Sequence, residues 1–135
     1  MGRSRGGFST KIHVSVDSLG NPLCFRLTAG QRHDITQAEA LLPPAPFDRL
    51  IADRSYDAAN FLNLIAVRGA EAVIPPHPRR KHQRDYDTWL YRERHLVECF
   101  FHKLKQYRHI FSRFDKLARR YLGFLNFIGV LIWLR

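Results

Sequence analysis

In residues 91–105, YRERHLVECFFHKLK, polar residues recur at intervals typical of one face of a helix, and apolar residues fall on the adjoining face. Tyr91, Arg94, Glu98 and Lys105 follow one another at intervals of three, four and seven residues. An ideal α-helix turns by about 100° per residue, so these four side chains would share about 60° of arc. The apolar residues would occupy the adjoining arc, which is the face expected to pack on a core. The stretch predicts a helix over residues 88–111 whose polar stripe borders its buried face.

The polar stripe allows two interpretations. Arg94 and Glu98 could form an ordinary i,i+4 ion pair on a solvated face, worth about a few tenths of a kcal/mol. Alternatively, the Glu98 carboxylate could hold a hard divalent metal ion. Arg94 and Lys105 would then clamp the phosphates of a DNA backbone, and Tyr91 would bond or stack against it. Geometry alone favours the ordinary ion pair.

Composition limits the class of protein. The chain has 135 residues, 45% of them hydrophobic, which is enough for one domain with a packed core. The net charge is +10, and 17 of the 22 cationic residues are arginine, whose planar fork suits phosphate. Cys24 and Cys99 lie far apart and favour a reducing compartment over a disulfide scaffold. Residues 121–134 are apolar but short for a bilayer, so we expect a buried core helix there.

The order of predicted elements indicates a mixed α/β domain. Residues 9–16 and 22–30 alternate as the two strands of a hairpin, and residues 47–53 and 71–74 are expected to be buried strands. A short helix should begin at Asp34, with Gln37 completing a capping box. A second helix should be capped by Asp57 and closed by Gly69, and a last one should cover residues 115–134. The segment GRSRGG, residues 2–7, is expected to be mobile.

The spacing Tyr-x2-Arg-x3-Glu-x6-Lys, complete at Tyr91, Arg94, Glu98 and Lys105, resembles the signature of DDE-type insertion-sequence transposases. That signature is shared by the group that contains insertion-sequence families four and five. Four further segments resemble family five in the family's order, so the resemblance covers essentially the whole chain. They are GRSRGGFSTKIHVSVDSLGNP (2–22), LTAGQRHD (27–34), IADRSYDA (51–58) and KLARRYLGFLNFIGVLIWLR (116–135).

The resemblance implies an RNase H-like fold in which three carboxylates bind two divalent ions, Mg²⁺ or Mn²⁺. The implied reaction is phosphodiester cleavage at the ends of the element, followed by strand transfer into target DNA. Asp53 matches the second catalytic and metal-binding carboxylate, and Glu98 matches the third. Tyr91, Arg94 and Lys105 match the residues expected to bind DNA.

The resemblance also implies partners and a location. The substrate would be double-stranded DNA, both at the element ends and at the target. A homo-oligomer assembled on DNA is expected, with no membrane association. The family places such a protein in the bacterial cytoplasm, associated with the nucleoid.

Two departures from the family pattern stand out. Ser55 replaces the usual glycine, which would cost about 1 kcal/mol if that turn needs a positive φ. The first catalytic aspartate of the family lies upstream of the GRSRGG segment, on a central strand. Asp17, at the hairpin turn, and Asp34, as a helix cap, do not replace it. We therefore expect residues 1–135 to form the C-terminal portion of a catalytic domain, with residues 1–8 as a flexible lead-in.

Such a portion would be inactive alone. It would need an upstream transposase segment or reading-frame product, whether the chain is a truncated copy or the second frame of a frameshifted element. The alternative is a non-catalytic DNA-binding remnant, or an inhibitor that joins mixed oligomers with the intact enzyme. A metal-dependent nuclease of the same fold is a third option, which the Tyr-Arg-Glu-Lys spacing disfavours.

Two other features leave alternatives open. Residues 75–84, PPHPRRKHQR, and the GRSRGG segment could track phosphates, or could be a solvated loop and a disordered tail. His95, Cys99 and His102 share one side of the predicted helix, but a zinc site would need a fourth ligand that the spacing does not supply.

Overall fold

The computed structural model describes residues 2–4, 7–107 and 118–134. It divides into two compact units. The terminal unit combines residues up to 32 with those from 96 onward, and the central unit comprises residues 33–95.

The terminal unit begins with a three-stranded antiparallel sheet. Its strands are β1 (Gly2–Ser4), β2 (Gly7–Val16) and β3 (Pro22–Ala29), in the order β1-β2-β3. The predicted hairpin is confirmed, and its turn is held by Asp17, whose Oδ1 accepts from the backbone N–H groups of Leu19 and Asn21. The lead-in expected to be mobile instead pairs Gly2–Ser4 with β2. Ladder hydrogen bonds satisfy the backbone even where glycine offers no side chain to pack.

Two helices complete the terminal unit, α3 (His95–Leu104) and α4 (Ala118–Trp133). Their buried side chains pack with one from β3 in a single core: Phe25, Phe100, Leu104, Tyr121, Leu125, Ile128 and Ile132. A Cβ built on Gly129 would lie 3.1 Å from the Phe25 ring, so glycine permits this close packing of α4 on β3. The predicted last helix is confirmed over Ala118–Trp133, and residues 115–117 lie outside the described part of the chain. Only one face of it is buried, because Phe127, Val130 and Trp133 are at least half exposed.

The central unit contains a parallel pair of short strands joined by a helix. Strand β4 (Arg49–Ile51) pairs in register with β5 (Glu71–Val73), and α2 (Ala59–Val67) makes the crossover. Before β4 come a 3-10 turn, Asp34–Gln37, and α1 (Ala38–Leu41). The unit's core consists of Ala38, Phe61, Ile65 and Ile74. Gly69 ends α2 at φ +76°, as predicted.

The long helix predicted over residues 88–111 differs in the structure. Leu90–Arg94 is a 3-10 turn, α3 begins only at His95, and it ends at Leu104. A 3-10 helix has about three residues per turn, so the shared arc calculated for an ideal α-helix does not hold for Tyr91 and Arg94. Lys105 lies in the turn that follows α3. Residues 108–111 lie outside the described part of the chain.

Both predicted aspartate caps are wrong. His33 and Ala58 occupy the N-cap positions before Asp34–Gln37 and α2, and neither makes a side-chain capping bond. Asp57 instead directs its carboxylate to the loop after β5, whose donors have competed successfully with the local backbone for it. Asp34 Oδ2 lies 3.5 Å from the Ser55 hydroxyl.

The fold class is confirmed as mixed α/β. The RNase H-like arrangement and the missing central strand stay predictions. Among the helices that the structure describes, none combines the length and the apolar character needed to span a bilayer.

Candidate active site

Asp53 lies just beyond the carboxyl end of β4. The register of the parallel pair continues one step past the strand, because the N–H of Ala52 donates to the carbonyl of Val73 at 3.3 Å. Asp53 then adopts an extended conformation and precedes a 3-10 turn, Arg54–Tyr56. The carboxyl end of a parallel strand is where open α/β sheets place ligand-binding residues.

Ser55 holds the Asp53 carboxylate in place. The backbone N–H of Ser55 donates to Asp53 Oδ1 at 3.0 Å, and its hydroxyl also hydrogen-bonds to that oxygen. The same hydroxyl lies 3.5 Å from Asp34 Oδ2. Because Ser55 is in a right-handed 3-10 turn, the expected cost of serine at a positive φ does not arise. The departure from the family's glycine thus adds a hydroxyl beside the carboxylate.

Arg94 is the cation beside Asp53. Its Nη2 lies 3.2 Å from Asp53 Oδ2, and each side chain is 33% exposed. An ion pair with this much solvent contact contributes at most about 1 kcal/mol to stability. Its interest is positional, because it joins residues 41 apart in sequence. The predicted DNA-binding arginine and the predicted second carboxylate therefore meet.

A cavity of about 460 Å³ opens beside this pair. The side chains that line it include two carboxylates, two guanidinium groups and two phenols. The lining residues are Asp34, Asp53, Arg54, Ser55, Pro75, Tyr86, Tyr91 and Arg94. The rings of Tyr86 and Tyr91 pack edge to face with their centroids 5.8 Å apart. Such a wall combines phosphate-binding cations with flat aromatic surface.

Tyr56, which lies close to the site, and Tyr91, which lines it, have raised pKa values. Burial raises the pKa of Tyr56 to about 12, and the nearby Asp34 and Asp53 carboxylates add to the effect while Arg94 opposes it. Burial also raises the pKa of Tyr91, against the opposing charge of Arg94. Both hydroxyls keep their proton at neutral pH, as an ordinary tyrosine does, and can donate hydrogen bonds.

The predicted site residues fall in both units. Asp53, Tyr91 and Arg94 line one cavity in the central unit. Glu98, on α3, and Lys105, in the turn after it, belong to the terminal unit. Both residues are exposed. The association of Glu98 and Lys105 with Asp53 stays a prediction.

Sequence reasoning missed several lining residues. Asp34 was assigned to a helix cap because the segment DITQ fits that pattern, yet its carboxylate faces the cavity beside Ser55. Tyr86 follows the basic loop and carried no periodic signal. Only an aromatic residue amid polar neighbours, DYD at 85–87, could have indicated a sheltered position.

The donor set suits a hard cation but is incomplete within the described residues. Carboxylate oxygens such as those of Asp53 are the ligands that Mg²⁺ prefers. Across residues 2–4, 7–107 and 118–134, no group of three or more His, Cys, Asp or Glu residues is placed to hold a metal ion. This argues against the zinc alternative at His95, Cys99 and His102. A divalent ion at Asp53 would need oxygen ligands from elsewhere.

Comparison with known proteins points to one family. The family model described as "Transposase DDE domain" matches residues 2–132. A protein of Brucella ovis, named as a transposase for insertion sequence element IS6501, is 40% identical over 129 residues, which cover 94% of this chain and 99% of the relative. A Burkholderia cepacia protein, named as a transposase for IS402, is 30% identical over 136 residues, which cover 92% of this chain but 61% of the relative. No solved structure matches the chain significantly.

Proposed function

Because this chain belongs to the DDE transposase family, we propose that it contributes two catalytic carboxylates, Asp53 and Glu98, to metal-dependent cleavage and strand transfer of insertion-sequence DNA. The family assignment supports a role in transposition. The observation that carries the chemical proposal is the meeting of Asp53 with Arg94 in a cavity, across 41 residues of sequence.

Arg94 and Tyr91 are proposed to bind the phosphate that reacts. The guanidinium donates to phosphate oxygens in pairs, and the neutral Tyr91 hydroxyl donates one more hydrogen bond. In the absence of DNA, Arg94 is paired with Asp53. On binding a phosphate, Arg94 would exchange its carboxylate partner, which leaves the Asp53 oxygens available as metal ligands. Lys105 would bind a neighbouring phosphate.

Divalent ions, when bound, would lower the pKa of the attacking water or 3′-hydroxyl and neutralise charge on the leaving oxygen. Asp53 and Glu98 are the residues proposed to hold them. The family uses three carboxylates, and the motif matches account for two. We propose that the remaining carboxylate comes from a further transposase segment, and that this chain by itself neither cleaves nor joins DNA.

A reconstitution experiment tests the proposal. A labelled duplex carrying an insertion-sequence end is incubated with the chain, with and without an upstream transposase segment added in trans, in Mg²⁺, Mn²⁺ or Ca²⁺. We expect strand cleavage only with the added segment and with Mg²⁺ or Mn²⁺. Asp53→Asn and Glu98→Gln should each reduce cleavage by at least about 10²–10³-fold. Glu93→Gln, an exposed acidic residue in the same stretch, is the matched control and should leave cleavage unchanged.

A second candidate function is a non-catalytic DNA-binding protein that inhibits the intact enzyme. The net charge of +10 suits DNA binding, which this role requires and which needs no catalytic metal ion. Added to an active transposase of the same element, the chain would then lower the cleavage rate, and Asp53→Asn would inhibit equally well. Restoration of cleavage by an upstream segment would exclude this role as the principal one.

A further inference from the structure

The loop after β5 carries the densest positive charge in the described part of the central unit. Residues 77–84, HPRRKHQR, contain four cations and no acidic residue. We call this segment the basic loop. Sequence alone could not separate a phosphate-binding loop from a solvated one. The structure separates the four cations into two pairs with different surroundings.

Two of the four arginine and lysine side chains are engaged by a buried carboxylate. Arg80 Nε and Arg84 Nη1 each lie 2.7 Å from an oxygen of Asp57, whose side chain is 0% exposed. The N–H of His77 donates to the same carboxylate at 2.6 Å. Arg84 also donates to the carbonyl of Ile74 at 2.5 Å. Asp57 thus ties both ends of the basic loop to the unit's core.

Further bonds close the loop on itself. Gln83 Nε2 donates to the carbonyl oxygens of His77 and Arg80, both at 2.9 Å. The N–H of Arg80 donates to the His77 carbonyl at 3.0 Å, which forms a turn. A loop held in one conformation loses little conformational entropy on binding a ligand.

The remaining two cations are exposed at the tip of the loop. Arg79 and Lys81 are both exposed residues, on either side of the anchored Arg80. The anchor itself sets two guanidinium groups against one carboxylate, so it adds to the positive charge instead of cancelling it. The acidic residues Asp85 and Asp87 come after the loop, beyond its second anchor at Arg84.

The loop begins and ends at the candidate active site. Pro75 and Tyr86, which flank it, both line the cavity beside Asp53. Arg79 is four residues from Pro75, so their Cα atoms are at most about 14 Å apart. At about 3.4 Å of rise per nucleotide of one strand, that reach corresponds to about four nucleotides.

We propose that Arg79 and Lys81 bind backbone phosphates of DNA outside the cavity, Arg79 within about four nucleotides of the phosphate at Asp53, and that Arg80 and Arg84 position the loop without contacting DNA. The choice of DNA as the partner rests on the proposed function. The loop has no large apolar side chain to insert into a lipid surface, which disfavours a membrane as the partner.

The salt dependence of DNA binding tests the assignment. Binding of the full chain to a duplex is measured in EDTA over a series of salt concentrations, so that cleavage plays no part. Each phosphate contact contributes about 0.9 to the slope of log K against log salt, so Arg79→Gln/Lys81→Gln should reduce the slope by about 1.8. The matched control is Arg32→Gln/Arg120→Gln, which removes the same charge from two exposed residues of the terminal unit.

Each outcome decides the assignment. A smaller slope for the loop variant, with the control near wild type, supports it. Equal changes of slope in both variants would mean that only net charge matters and would overturn the assignment. A wild-type chain that binds no DNA would also overturn it. Weaker binding to phosphatidylserine vesicles with an unchanged DNA slope would assign the loop to a membrane surface instead. A chain that binds DNA through the loop but fails to cleave it even with the upstream segment added would refute the catalytic proposal and leave this one standing.

A positional measurement then sharpens the result. Duplexes with single methylphosphonate substitutions remove one backbone charge at a time. We expect weakened binding at positions within about four nucleotides of the cleavage site for the wild-type chain, and no further weakening there for the loop variant.

Discussion

Asp53 and Asp57 are four residues apart and have opposite surroundings. Asp53 is one-third exposed, faces a cavity and is paired with Arg94 alone among the salt bridges that the structure defines for it. Asp57 is fully covered and bonded to two guanidinium groups and a backbone N–H. A carboxylate that must exchange its partner for a metal ion has to remain accessible. A carboxylate that anchors a loop is most effective where water cannot compete.

The largest expected effect comes from deleting the buried carboxylate. Asp57→Ala leaves two guanidinium groups without their partner, and we expect it to lower the free energy of unfolding by about 3 kcal/mol. This is the lower end of the range for a broken buried pair, because Arg80 and Arg84 are 36% and 23% exposed. Urea unfolding of the full chain measures it. Asp53→Ala, the matched change at the open site, should cost at most about 1 kcal/mol; equal losses would erase the contrast between the two aspartates.

Metal binding should reverse that ranking. Asp53→Asn retains most of the local hydrogen bonds but weakens a metal ligand. We expect Mn²⁺ binding to the chain combined with the upstream transposase segment, followed by electron paramagnetic resonance, to weaken by at least about tenfold. Asp57→Asn should change Mn²⁺ affinity little in chains that remain folded. Loss of Mn²⁺ binding in the Asp57 variant alone would show that Asp57, and not Asp53, is the metal ligand.

Acidification should separate the two residues as well. Burial acts to raise the pKa of Asp57, but the hydrogen bonds from His77, Arg80 and Arg84 outweigh it and hold that pKa below its ordinary value of 3.8. A lowered folded-state pKa contributes stability that is present above the unfolded-state pKa and is lost as pH falls through the folded-state value. Unfolding free energies between pH 5 and pH 2 should therefore fall more steeply for wild type than for Asp57→Asn. Parallel curves would contradict the role given to Asp57.

The smallest expected effect concerns Ser55. Ser55→Ala removes the hydroxyl beside Asp53 but retains the backbone N–H bond, so the free energy of unfolding should fall by less than about 1 kcal/mol. Mn²⁺ affinity should change more clearly than stability, because the hydroxyl orients a metal ligand. Ser18→Ala, at an exposed position of the hairpin turn, is the control and should alter neither quantity. An unchanged Mn²⁺ affinity would show that the hydroxyl plays no part in orienting Asp53.

Much of the fold could be predicted because its signals are local. Strand alternation predicted the hairpin, Gly69 predicted the end of α2, and the Tyr-Arg-Glu-Lys spacing indicated the family that the comparisons confirm. The errors fall on residues whose partners are distant in sequence. Asp34 and Asp57 fit local capping patterns, yet the Asp57 carboxylate bonds to the basic loop and Asp34 lines the cavity beside Asp53, both about 20 residues away.

The polar stripe on the predicted helix shows the same difference between local and tertiary determinants. The intervals between Tyr91, Arg94, Glu98 and Lys105 are a property of the sequence and hold whatever the backbone does. The angles between those side chains around the helix axis depend on the backbone, and a 3-10 turn at Leu90–Arg94 changes them. This 3-10 turn contacts β4 within the central unit, a tertiary contact that the local sequence pattern does not predict.

By itself the sequence determined the order of the elements after β1, the family and the types of residue available for chemistry, since these depend on neighbours along the chain. Only the tertiary structure decided which aspartate stays open and which is buried, that Arg94 meets Asp53, and which cations of the basic loop remain exposed. Burial and long-range hydrogen bonding set those properties, and both depend on side chains that come together only when the chain is folded.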